Sequence, residues 1–199
     1  MPFSKQLHQV SRNTGKDSYI IRKEDIVKRV IINEENLDIT KIDDTVIRVK
    51  ALLINDKQEL LVVHNNYTYQ FPGGHWREHE SLEETLKREI KEETGITVTI
   101  DSGPFMVIEE YYDDYLKIGR SRCNKMYYYI VHSNAGPKIE EMNLSDLERK
   151  TDFHLFYIPM KDMEQFLKES IENNSIEKII GEEMLAVMQE YKEKMMGGK

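Results

Sequence analysis

The chain has 199 residues and a formal net charge of −8, from 28 basic and 36 acidic side chains. One cysteine, Cys123, excludes an internal disulfide and a multi-cysteine zinc site. The acidity argues against bulk nucleic-acid binding, and no apolar run is long enough to span a bilayer, so a soluble cytoplasmic domain with extensions is expected.

Residues 1–18 are polar and carry little periodic signal. Ile26, Val27, Val30 and Ile31 then recur at helical spacing and predict a short helix over Asp25–Asn33. The pattern changes at Thr45. Thr45–Ile54 is rich in β-branched residues, with Ile47, Val49, Ala51 and Leu53 at period two, and predicts a strand. Asn55–Gln58 is a turn and Glu59–His64 the returning strand. Tyr67–Phe71 predicts a third short strand, stopped by Pro72-Gly73-Gly74.

A strong helix signal follows. Ser81 with Glu84 is a capping box, Leu82, Leu86 and Ile90 form an apolar stripe, and Gly95 stands at the C-terminal stop. Strands are predicted again over Ile96–Ile100, Phe105–Tyr112 and Lys125–His132, and later over Phe153–Ile158. Asp162–Glu169 reads as a short helix. A long last helix over Ser175–Met195 carries Ile176, Ile180, Met184, Val187, Met188, Tyr191 and Met195 on one face. That stripe needs a partner surface, either this chain's own or a second copy's, so a homodimer is a possible arrangement.

The helix after the glycines breaks ordinary design. Glu89, Glu92 and Glu93 share one face, near the negative end of the helix dipole. Each like-charge neighbour costs a few tenths of a kcal/mol, about what one favourable pair returns. A solvated acidic face is one account of them. A hard divalent cation, Mg2+ or Mn2+, is the other, because both metals favour carboxylate oxygens. The layout of strand, glycine loop and acidic helix favours the site.

Gly74 to Ile96 reads GHWREHESLEETLKREIKEETGI. This resembles the Nudix hydrolase signature G-x5-E-x7-R-E-U-x-E-E-x-G-U, in which U is bulky and aliphatic. Gly74, Glu80, Arg88, Glu89, Ile90, Glu92, Glu93, Gly95 and Ile96 fill every defined position. The resemblance implies an α/β/α sandwich on a mixed sheet, here with an N-terminal extension (1–44) packing on the core and a domain (45–199) that includes the long C-terminal helix. It implies metal-dependent hydrolysis of a pyrophosphate bond in a nucleoside diphosphate linked to another moiety. The metal ligands would be the Gly73 carbonyl, Glu89, Glu92 and Glu93, with Mg2+ or Mn2+ as cofactor. Glu89, Arg88 and Glu92 would be the catalytic residues, with Arg88 orienting Glu89 and Glu80 holding the loop or reaching a metal through water. Family members differ in their general base, and Glu140, Glu141, Asp146 and Glu148 are further candidates. A nucleotide-binding module without turnover and an RNA-end pyrophosphohydrolase are the alternative functions.

Aromatic and basic residues supply candidate substrate contacts. Tyr67, Tyr69, Phe71 and Trp76 flank the glycines, and Tyr111, Tyr112 and Tyr115 lie on and beyond a later strand. Such rings can stack on a nucleobase. Lys117–Lys125 holds Arg120 and Arg122 and no acidic residue. Trp76, Tyr112, Arg120 and Arg122 are therefore the expected substrate-binding residues.

Overall fold

The computed structural model describes residues 27–65, 68–114, 117, 119–146 and 148–197. Eight strands among them form one mixed sheet. They are β1 (Lys28–Ile32), β2 (Asp44–Ile54), β3 (Glu59–Asn65), β4 (Thr68–Gln70), β5 (Gly73–His75), β6 (Met106–Tyr112), β7 (Arg122–His132) and β8 (His154–Pro159). The helices are α1 (Leu82–Thr94), α2 (Met163–Glu172) and α3 (Lys178–Gly197). The order β1-β6-β7-β2-β3-β4 runs across the sheet, with β5 beside β2 and β8 beside β3. β1 is parallel to β6 and β2 to β7, while β6–β7 and β2–β3 are antiparallel.

Alternation along β2 divides the core. Val49, Ala51 and Leu53 face α1, where they meet Leu86, Ile90 and Tyr129. Leu52 and Ile54 face the other way, onto Met163 and Leu167 of α2 and Met184, Val187 and Met188 of α3. The result is the expected α/β/α sandwich. The stripe on the last helix is thus covered by this chain's own sheet, although Met195 stays 45% exposed. No described helix is long and apolar enough to cross a membrane.

Two predicted elements are corrected. The helix expected over Asp25–Asn33 is the edge strand β1, as far as its residues are described. Its β-branched run Val30-Ile31-Ile32 suits a pleated surface, and pairing with β6 satisfies its backbone. Ile96–Ile100 is an irregular connection, not a strand. Its apolar pattern is real, because Ile96 and Val98 are buried against α1, but no neighbour pairs its backbone. Tyr67 and Tyr115 lie outside the described residues.

The capping box forms as the spacing predicts. Glu84 N donates to Ser81 Oγ at 3.1 Å, and Ser81 N donates to Glu84 Oε2 at 2.7 Å. At the far end Gly95 adopts the left-handed conformation and donates to the Lys91 carbonyl. Lys138 N and Asn143 N then donate to the Thr94 and Glu92 carbonyls, so the segment after β7 closes the end of α1.

Candidate active site

The site is built where β5 crosses beside β2 and α1 packs against both. Gly73 stands at φ 136°, and a Cβ there would lie 2.1 Å from the Val49 carbonyl oxygen. Only glycine allows this close strand-to-strand approach. At Gly74 a Cβ would lie 2.4 Å from Glu89 Oε2, so the missing side chain is the space that the carboxylate fills. Gly73 N donates to Glu93 Oε2 at 2.8 Å, which ties the glycine strand to the end of α1.

Arg88 organises the remaining carboxylates. Its Nε and Nη2 donate to the two oxygens of Glu80 at 2.7 and 2.9 Å, and Nη2 also donates to the His75 carbonyl at 3.0 Å. Nη1 donates to Glu89 Oε1 at 2.5 Å and to Glu92 Oε2 at 3.1 Å. One guanidinium thus fixes the loop and orients two glutamates. Hydrogen bonding from Arg88 holds the Glu80 carboxyl near 2, well below the usual range. Burial does the opposite at α1. It pushes Glu89 up, and it pushes Glu93, which is 3% exposed, up to about 8. The His75 imidazole is lowered by burial and by the cations Arg48, Lys50 and Arg122.

These groups border a cavity of about 510 Å3. Gly73, Gly74, Glu89, Glu93 and Glu148 line one end of it, and Glu110, Tyr112, Asn124, Met126, Ile180 and Glu183 are also in its wall. Of the four acidic loop candidates, Glu148 reaches this wall, held by a reciprocal pair of hydrogen bonds with Ser145. Glu141 is engaged by Lys91 and Lys138.

The expected site residues separate accordingly. Glu89, Glu93, Gly73 and Tyr112 are brought together in the cavity wall. Glu92 is not in that wall, because Arg88 and Arg77 hold its carboxylate to the side. Trp76, Arg120 and Arg122, the other expected substrate-binding residues, do not line this cavity. Trp76 is 37% exposed and donates from Nε1 to the Glu80 carbonyl at 2.6 Å. Arg122 pairs with Asp44 on the adjacent strand, and Arg120 reaches the Asp43 carbonyl. Within the basic run, Arg122 thus ties β7 to β2, and Lys125 ties β7 to Glu109 on β6. Missed in the sequence were Arg48, Lys50, Gln70, Glu110, Asn124, Met126 and Glu183, all in the cavity wall. The available signal was alternation: Arg48, Lys50, Asn124 and Glu110 occupy the same face as the buried Leu52, Tyr128 and Ile108.

A divalent cation can be weighed against this geometry. Glu89, Glu93 and the Gly73 backbone form an oxygen-only donor set, as Mg2+ or Mn2+ requires. The buried Glu93 carboxyl, raised by desolvation, is a group that a cation would stabilise in its charged form. Among the described residues, no three His, Cys, Asp or Glu side chains are gathered closely enough to enclose an ion. Arg88 neutralises Glu89 and Glu92 in their present positions.

The NUDIX domain model matches residues 44–176. No curated protein matches the sequence. Among solved structures the chain resembles MutT from Aliivibrio salmonicida and Vibrio cholerae at 21% identity and TM-score 0.37, over 60% of this chain and 82% of that one. It resembles the MutT protein of Methanosarcina mazei Go1 at 16% identity and TM-score 0.48, over 76% and 99%. A NUDIX hydrolase from Nitrosomonas europaea is similar at 14% identity and TM-score 0.48, over 77% and 90%.

Proposed function

The chain belongs to the Nudix family of pyrophosphohydrolases, and from that premise we propose that it hydrolyses a pyrophosphate bond in a nucleoside diphosphate linked to a second moiety, with Mg2+ or Mn2+ held at Glu89, Glu93 and the Gly73 carbonyl. The observation that carries the reading is the pair of part-buried and buried carboxylates, Glu89 and Glu93, set against glycines at one end of a cavity. A cation bound there would neutralise charge developing on phosphoryl oxygens and lower the pKa of a bound water.

The chain's own groups do the rest. Glu92, paired with Arg88 and Arg77, would be the further carboxylate able to hold the cation. Arg88 keeps Glu89 oriented and Glu80 locks Arg88, so the loop and helix hold one geometry. Glu89 or Glu148 takes the proton of the attacking water as the water oxygen bonds to phosphorus. The bridging P–O bond breaks and its electron pair leaves on the departing phosphate. Lys50, 7% exposed and donating to Gln70 Oε1 at 2.9 Å, offers N–H donors for a phosphate nearby, whose charge would offset the burial that lowers the Lys50 ammonium. We also read residues 1–44 as an extension added to a domain over 45–199.

The test is a substrate panel of nucleoside triphosphates, nucleotide sugars, ADP-ribose and dinucleoside polyphosphates, assayed with each metal, alongside Mn2+ binding followed by electron paramagnetic resonance. The reading predicts metal-dependent turnover of at least one compound and Mn2+ binding that Glu93→Gln weakens. Turnover of none, with Mn2+ binding unchanged by that substitution, overturns it.

A further inference from the structure

The cavity wall away from the glycines is polar where the fold would ordinarily bury apolar side chains. On the α3-facing side of the sheet, β6 presents Met106 and Ile108 and then Glu110, while β7 presents Tyr128 and Met126 and then Asn124. Glu110 and Asn124 are directly paired across the two strands, and 6% and 7% exposed. Asn124 Oδ1 is buried with no hydrogen-bond partner. A buried acceptor left unpaired is costly, and the chain has not removed that cost by placing an apolar residue there. Glu110 Oε2 accepts from Tyr112 at 2.8 Å, and Glu183 on α3 accepts from Tyr128. Each carboxylate has accepting capacity beyond that one bond.

The wall therefore offers acceptors: two carboxylates and an unpaired amide oxygen. Phosphate is the wrong occupant, because its oxygens would face these oxygens. A fully cationic group is opposed by Arg48 and Lys50 in the same cavity. What fits is a neutral group bearing N–H donors. Met126, Ile180 and the Tyr112 ring in the same wall suit the faces of a planar ring.

We propose that Glu110, Asn124 and Glu183 form a subsite that reads the exocyclic amine of the substrate's nucleobase. The proposal rests on the cavity being the substrate site. It makes α3 part of substrate selection, with Glu183 beyond the 44–176 family match. Glu110 and Asn124 act as specificity residues, and Tyr112 and Tyr128 hold the two carboxylates in place.

The experiment compares amino bases with their oxo or unsubstituted counterparts: cytidine with uridine, adenosine with inosine, and guanosine with inosine. Each is presented as the diphosphate-linked substrate for kcat/KM and as the 5′-monophosphate for calorimetric binding. The proposal predicts that at least one amine-bearing member is preferred by about 10- to 100-fold, the ratio that follows when one buried acceptor is left unpaired by the analogue. Asn124→Ala and the shape-preserving Glu110→Gln should each narrow that preference to about threefold or less. Circular dichroism identifies a variant that has failed to fold, and the other then decides. Turnover with every pair equal within about twofold overturns the subsite and leaves the hydrolase reading standing. If no substrate is turned over, the hydrolase reading fails, and monophosphate binding alone decides the subsite by the same ratios.

Discussion

Two consecutive glutamates on β6 meet opposite fates. Glu109 points to the α1 side of the sheet, where its carboxylate is closed off by this chain: Arg29 Nη2 at 2.6 Å, Lys125 Nζ at 2.9 Å and the Tyr111 hydroxyl at 3.0 Å. Burial by itself would raise its carboxyl, but those three donors outweigh burial and hold it near 2. Glu110 points to the α3 side, beside an asparagine oxygen with nothing to accept from and across a cavity from Glu183. The same residue type is architecture on one face and, on the proposal above, recognition on the other. The difference is how far the chain itself fills its accepting capacity: two cations and a tyrosine at Glu109, the Tyr112 hydroxyl at Glu110. A buried polar group fully paired within the fold ties elements together, here β1 to β6 and β7. One left unpaired beside a cavity implies a partner from outside.

The glutamates of α1 extend the contrast, and their substitution has the largest expected effect. Glu93→Gln should lower kcat/KM by two or more orders of magnitude while leaving the melting temperature within a few degrees, because cation and charge stabilisation dominate such chemistry. Steady-state kinetics and a thermal melt on one preparation check both halves. Arg88→Lys comes next. It keeps the charge but loses the fork that grips Glu80, Glu89 and Glu92 together, so kcat should fall by about 10-fold or more with KM less affected. Equal activity in the lysine variant would show that orientation by Arg88 contributes little.

Glu109→Gln should do the reverse: kcat/KM within about twofold of the parent chain and stability lower by roughly 1–2 kcal/mol, since both cations stay partly solvated and keep some alternative pairing. Urea denaturation measures it. A large loss of activity would erase the distinction between the two β6 glutamates. The smallest effect is on pH dependence. The folded Glu109 carboxyl lies below its unfolded value of about 4.5, so the unfolded state binds more protons in between. Its contribution is complete above about pH 4.5 and is lost as pH falls toward about 2. The stability difference between the parent chain and Glu109→Gln should therefore shrink on acidification and stay flat from pH 6 to 8.

Legibility in the sequence follows the same division. Gly74, the capping box and the carboxylates of α1 sit within Gly74 to Ile96, so spacing alone displays them. Arg88 as the orienting cation was equally visible, because its partners lie on its own helix and the preceding loop. The inner wall was not. Arg48, Glu110, Asn124 and Glu183 come from β2, β6, β7 and α3, and only the strand register puts them on one face. Reading β7 from Lys125 instead of Arg122 leaves Asn124 in a basic loop and puts Arg120 and Arg122 among the expected substrate contacts. The sheet instead uses Arg122 to pair Asp44. At Lys28–Ile32 the apolar residues satisfy helical spacing locally, while the parallel partner that makes them a strand begins at Met106.

The most direct measurement is a crystal structure of the chain with Mn2+ and a non-hydrolysable amino-base nucleotide. The account predicts an anomalous Mn2+ peak touching Glu93 and the Gly73 carbonyl, and the base edge within hydrogen-bond distance of Asn124 Oδ1. Mn2+ bound away from Glu93, with the nucleotide outside the cavity, would contradict it.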